Sequence, residues 1–195
     1  YYKKNLQSMK KVQLLNWILI AFIAFQFTSC ENEPLEGEFP EDDDVINVDE
    51  GGFIATIDGT EFTAATASAT MSSDNTLILT GVTTSGETII LTAEQAAVGV
   101  YDITAGLGSL NSGLYSNDEF SPYISAGAVG GSGTLFLSEI DEVGLTVSGT
   151  FSFTGVRLAV DVDGNPILDT EGNPVLEIVE VTSGEFNKIV YVLDD

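Results

Sequence analysis

Any chemistry in these 195 residues has to be done without histidine. Imidazole-based triads, His-ligated zinc and His-ligated haem are therefore excluded. One cysteine, Cys30, rules out an intramolecular disulfide. Carboxylates remain, thirty Asp and Glu against six Lys and Arg. A glycosidase needs only two of them, about 5–10 Å apart. Glu87, Glu94, Asp102, Asp118 and Glu119 are candidates. With so many acids, pairs arise by coincidence, and the sequence assigns no catalytic residue. The expectation is a protein that is not an enzyme, with a carboxylate-pair glycan-processing enzyme as the alternative.

A second candidate chemistry is metal binding. Asp161, Asp163 and Asn165 place oxygen ligands at alternate positions, as at the start of calcium loops. The glycine, Gly164, comes two positions too early for an EF-hand counting from Asp161, and position twelve is Gly172 rather than a bidentate Glu. The same stretch holds a tandem repeat, Asp163-Gly164-Asn165-Pro166-Ile167-Leu168 and then Glu171-Gly172-Asn173-Pro174-Val175-Leu176. Gly-Asn-Pro is strong turn chemistry, so a projecting hairpin tip is the preferred reading, and a calcium-stabilised adhesion-type module the alternative. No other cofactor is implied.

The third candidate is a ligand loop. Tyr115, Asn117, Asp118 and Tyr123 lie in one polar stretch that also carries Pro122. Tyrosines on a surface loop can stack sugars or contact a surface protein. Trp17, the only tryptophan, lies in the leading segment instead.

That leading segment shows where such residues would work. Met9-Lys10-Lys11 opens a basic start, and Leu14 to Phe25 is an apolar run of signal-peptide length. Met9 is the expected translation start, with residues 1–8 an upstream extension. The run ends in Phe27-Thr28-Ser29-Cys30. This resembles the lipobox of bacterial lipoproteins, with Phe27 in place of the usual Leu-like residue, a looser form similar to that of Bacteroidota. The resemblance implies cleavage between Ser29 and Cys30 and lipidation of the Cys30 sulfur. At about 0.8 kcal/mol per buried methylene, two or three acyl chains hold a protein on a membrane where one does not.

From Glu31 to Glu50 ten of twenty residues are acidic, with Pro34, Gly37 and Pro40 among them. That composition predicts a disordered tether over residues 31–52. An early acidic stretch is similar to the surface-export signals of Bacteroidota lipoproteins and implies the outer membrane, facing the cell exterior, with the periplasmic face as the alternative. All thirty acids follow Cys30, while only Arg157 and Lys188 follow it among the bases. Such a surface repels phosphate backbones, so no nucleic-acid partner is expected. The membrane is reached through the lipid alone.

Residues 53–195 must position any site, and they read as all-β. Leu145, Val147, Phe151 and Phe153 alternate with Thr146, Ser148, Thr150, Ser152 and Thr154, giving one core face and one wet face. Further strands are expected at Phe53–Ile57, Glu61–Met71, Thr76–Thr83, Thr88–Ala93, Gly99–Thr104, Gly133–Ser138, Val156–Val160, Val175–Val181 and Phe186–Leu193, with a helical turn at Ala93–Ala97. Asp58-Gly59 predicts a type I′ hairpin. The result is an antiparallel β-sandwich or barrel of nine or ten strands, preceded by a signal helix and the acidic linker.

Four motifs in order, Phe53-Ile54-Ala55-Thr56-Ile57-Asp58-Gly59, Gly99-Val100-Tyr101, Ser148-Gly149-Thr150-Phe151-Ser152-Phe153 and Val181-Thr182-Ser183-Gly184-Glu185-Phe186, resemble a family of uncharacterised flavobacterial lipoproteins. The resemblance implies placement and fold and carries no activity. The expected function is a lipid-anchored, surface-exposed binding or structural module.

Overall fold

The structure, a computed structural model, describes residues 48–104, 110–117, 122–125 and 131–194. Eleven strands form one sheet: β1 Phe53–Ile57, β2 Thr60–Thr63, β3 Thr66–Ser72, β4 Leu77–Val82, β5 Thr88–Ala93, β6 Gly99–Asp102, β7 Ser112–Ser116, β8 Tyr123–Ile124, β9 Ser132–Asp141, β10 Thr146–Leu158 and β11 Leu176–Asp194. The all-β expectation holds, with eleven strands in place of nine or ten.

Pairing settles the choice between sandwich and barrel. β11 pairs with β3, β3 with β4, β4 with β5, β5 with β7, β7 with β8, β8 with β10, and β10 again with β11. That circuit closes the sheet on itself. Two ribbons extend from it, β1–β2 from β11 and β9–β6 from β10. The closure is thin at β8, where a single register pair, Val156↔Ile124, joins it to β10.

The sheet is not wholly antiparallel, because β3 and β11 run parallel. Chain direction explains this. β1 is antiparallel to β11 and turns tightly into β2, with φ of 46° at Asp58 and 82° at Gly59, as a type I′ hairpin requires. β3 then continues in the direction of β2. The expected single strand Glu61–Met71 breaks at Ala64-Ala65, where Ala64 N donates to Phe53 O and the next amide, Ala65 N, to Val82 O. Those two residues carry the chain from one part of the sheet to another, and β3 arrives beside β11 in a parallel sense.

β11 replaces two expected strands. The expected break between them falls at Ser183-Gly184, and it is a bulge: Ser183 has φ 49°, and both neighbouring ladders skip a residue there. A second bulge follows at Lys188, φ 48°, where Ser148 Oγ accepts the Lys188 amide at 2.9 Å. Bulges bend a strand and raise its twist, which lets one strand serve β1, β10 and β3. Likewise Val156–Val160 is no separate strand. β10 runs on through Gly155, whose missing side chain admits Tyr123, since a Cβ there would stand 2.8 Å from the tyrosine Cβ. Ala93–Ala97 is not helical: β5 ends at Ala93 and Gln95 turns the chain with φ 49°.

The core follows most of the predicted alternation, but Ser148, expected on the wet face, is buried, and Leu145, expected on the core face, precedes β10 with φ 52°. Val147, Phe151 and Phe153 are buried, as are Phe53, Phe62, Leu79, Leu91 and Phe186. Phe53 sits 5.2 Å from Phe151, 6.1 Å from Phe62 and 6.2 Å from Phe186 between ring centroids. Glycines make room for these rings. Phe151 lies opposite Gly184 and Phe186 opposite Gly149 in the β10–β11 ladder, while Phe153 lies opposite Gly133 in the β9–β10 ladder. The motifs around Phe151 and Phe186 are thus the two halves of one reciprocal packing.

The packed unit begins before Phe53. Val48 is buried, its carbonyl accepts from Asn187 Nδ2 at 2.7 Å, and Gly51 N donates to Asn187 O at 2.7 Å. Residues 48–52 therefore belong to the domain rather than to the tether.

Candidate functional site

The two candidate-loop tyrosines meet across strands. Tyr115 on β7 pairs with Tyr123 on β8, their rings stacked at 6.0 Å and 27°. Register continues the row: Val156 lies opposite Ile124, so the next residue on β10, Arg157, stands beside Tyr123, and Arg157 pairs with Glu177 on β11. The Arg157 guanidinium lies 4.2 Å from the Tyr123 ring centroid. Its Nε and Nη2 both donate to Glu177 Oε2 at 2.7 Å, and Tyr123 Oη donates to the same oxygen at 3.3 Å. Tyr115 is buried, and its hydroxyl donates to Glu87 Oε1 at 2.7 Å. Burial, and then the Glu87 bond and charge, push that phenol well above its usual range.

Position in the strand order decides what this row does. Tyr123 is flanked by Tyr115 on one side and Arg157 on the other, which makes the pair a poor open platform for a sugar. The row instead spans the thin closure at β8 with side-chain contacts. Ser125 reinforces it, fully buried, with its Oγ accepting Gly113 N at 2.7 Å and its own amide donating to Gly113 O at 2.8 Å. Beside this row Asn117 has a buried Oδ1 with no hydrogen-bond donor among the described residues. Asp118 and Glu119 lie outside the described residues.

The candidate carboxylates have local tasks. Glu94 Oε2 accepts Leu110 N at 3.0 Å, and Asp102 Oδ1 accepts Thr104 N at 3.1 Å. Glu87 holds Tyr115, as above. Glu87 and Glu94 lie just outside the two ends of β5, and Asp102 ends β6.

The tandem repeat forms an arm between β10 and β11 with two successive tips rather than one. Asp161 Oδ1 accepts the amides of Asp163 and Asn165, both at 2.9 Å, and Asp169 Oδ1 accepts those of Glu171 and Asn173 at 2.8 and 2.9 Å. Asn165 and Asn173 each donate Nδ2 to the same aspartate. Backbone amides, chiefly those of Asn165 and Asn173, hold Asp161 and Asp169 below the usual carboxylate range. The eight-residue spacing closes a three-way ring at the base: Ile167 N donates to Ala159 O, Val175 N to Ile167 O and Ala159 N to Val175 O. In the candidate metal set, Asp161 thus faces donors of its own loop, and no cluster of three or more acidic ligands occurs among the described residues.

One concavity was not singled out in the sequence. A cleft of about 320 Å³ opens where β9, β10 and β11 run side by side, lined by Ser132, Ser152, Thr154, Glu180 and Thr182. These belong to the wet face of the alternation, and Ser132, Thr154 and Glu180 fall in one register row. The Ser183 bulge gives β11 an extra residue opposite Ser152, and the cleft lies over it. The hydroxyl side of β10 was legible as a signal; the bulge that turns it into a cleft was not.

Ser29 and Cys30 lie outside the described residues. No curated protein and no solved structure matches this chain. A family profile matches residues 40–190, which covers every strand up to the last residues of β11. The chain belongs to that family, described as a domain of unknown function (DUF6252).

Proposed function

We propose that this protein is a non-enzymatic binding module, held on the outer membrane by lipid at Cys30 and displayed at the cell exterior, that takes a neutral or cationic saccharide in the hydroxyl cleft. The observation that carries the reading is the cleft itself: four hydroxyls and one carboxylate from three adjacent strands, held by the β9–β10 ladder and by the β10–β11 ladder around the Ser183 bulge. Hydroxyls offer both donor and acceptor to a sugar, and Glu180 adds a charged acceptor. Only one carboxylate lines the cleft, whereas glycoside hydrolysis needs two. The lipobox-like Phe27-Thr28-Ser29-Cys30 and the acidic stretch after it support the anchor and the flavobacterial lipoprotein placement.

The test is a glycan array probed with the intact protein in detergent. Binding that Thr182→Val and Ser152→Ala weaken, in proteins that melt normally, supports the reading. Turnover of a chromogenic glycoside by the same preparation overturns it. Anchoring is checked separately: labelled palmitate is incorporated into the protein, and Cys30→Ala abolishes incorporation.

A further inference from the structure

The outer face of the closed sheet carries an uncharged register row. Ile90 pairs with Leu114, Leu114 with Ile124, Ile124 with Val156 and Val156 with Ile178, crossing β5, β7, β8, β10 and β11. Two residues further along, Leu158 pairs with Leu176 on the same face. Toward β11 the row is exposed on either side of the buried Val156: Ile124 is 38% and Ile178 62% exposed, and in the next pair Leu158 is 41% and Leu176 39% exposed. A cluster of exposed apolar side chains of this kind is unusual on a surface so rich in charge and marks a contact site.

Two observations describe the occupant. First, β11 pairs with β10 along Leu176–Val179, and no strand among the described residues takes its other edge there; β1 begins only at Val181. An open edge beside apolar side chains can accept an extended segment as an added strand. Second, acid flanks the strip: Glu180 follows Ile178 on the same face of β11, and the arm that leaves after Leu158 carries Asp161 and Asp169. With thirty acids against six bases in the chain, a second copy is repelled. An anionic lipid surface is repelled for the same reason.

We infer that the Leu176–Val179 edge of β11, with Ile124, Leu158 and Ile178 beside it, docks an extended segment of another protein that carries apolar side chains with basic neighbours. This surface adjoins the hydroxyl cleft, sharing Glu180 at its border, and does not depend on the saccharide reading.

The test uses the intact protein in detergent and three labelled decapeptides: alternating Leu-Lys, alternating Ser-Lys and alternating Leu-Glu. Anisotropy at physiological ionic strength should show Leu-Lys binding tightest. Ile178→Ser should weaken it about tenfold and leave the weak Ser-Lys binding unchanged. Leu176→Ser, also exposed, serves as a second variant should Ile178→Ser melt early. Equal binding of Leu-Lys and Ser-Lys overturns the inference, because bulk charge alone would then explain it. Leu-Lys binding that survives both variants also overturns it. So does sedimentation showing a dimer that Ile178→Ser disperses, since a second copy would then cover the strip.

Discussion

Phe186 stands directly opposite Gly149 in the β10–β11 ladder, and a Cβ on that glycine would lie 2.7 Å from the Phe186 Cζ and 2.1 Å from the Phe136 carbonyl oxygen. The carbonyl is backbone, held in the β9–β10 ladder, and cannot swing aside. Gly149→Ala should therefore cost at least about 2 kcal/mol through overpacking. Phe186→Ala should cost about 3–5 kcal/mol by leaving a cavity. Urea denaturation of the two variants measures both. A Gly149→Ala protein as stable as the wild type would show that the ladder relaxes there.

The bulge at Ser183 predicts a gain. A non-glycine residue at φ 49° is strained. Ser183→Gly should relieve that strain, offset in part by greater freedom of the unfolded chain, for a net stabilisation of up to about 1 kcal/mol. A higher urea midpoint with an unchanged slope is the expected result.

Tyr115 links stability to alkaline pH. Its pKa is raised in the folded state, so the stability it supplies is complete below the ordinary tyrosine value of about 10 and is lost as pH rises beyond it. Tyr115→Phe keeps the ring but drops the Glu87 bond, which should cost about 1 kcal/mol at neutral pH. The variant should also lose less stability than the wild type between neutral and strongly alkaline pH. Thermal melts across that range compare them.

The arm predicts the opposite pH dependence. Asp161 and Asp169 have lowered pKa values in the fold. Their contribution is present above the ordinary aspartate value of about 3.9 and is lost as pH falls below it. The Asn165 and Asn173 amide resonances should shift together over that acid range, before the core amides of β10. Asp161→Ala should speed hydrogen exchange at Asn165 and leave the global midpoint in place. Calcium at about millimolar concentration should not raise the melting temperature, because Asp161 Oδ1 already accepts donors of its own turn.

Strand faces were legible because burial on one side imposes a period of two, and β1 and β5 matched their expected bounds. The Asp58-Gly59 turn was legible because few residue pairs tolerate two positive φ angles. β7 and β8 escaped notice since Ser112-Gly113 and Pro122 look like loop residues. In the fold Gly113 is a strand residue whose bareness seats Phe153, a Cβ there falling 2.7 Å from the ring. Ser183-Gly184 misled in the same way, because local sequence cannot tell a turn from a bulge when a distant strand supplies the pairing. At the site, Tyr115 and Tyr123 were singled out, yet Arg157 and Glu177, which complete their row, were not. That row depends on registers among β7, β8, β10 and β11, which no short segment encodes.

The arm leaves the barrel at Leu158 and returns at Leu176, and those residues face one another in the ladder. Whatever lies between them can lengthen, shorten or duplicate its octapeptide without shifting either of the long strands. Descendants of this sequence could therefore diversify the arm under selection while inheriting the barrel unchanged, and a peptide grafted between Ala159 and Val175 should be carried as cargo on the same scaffold.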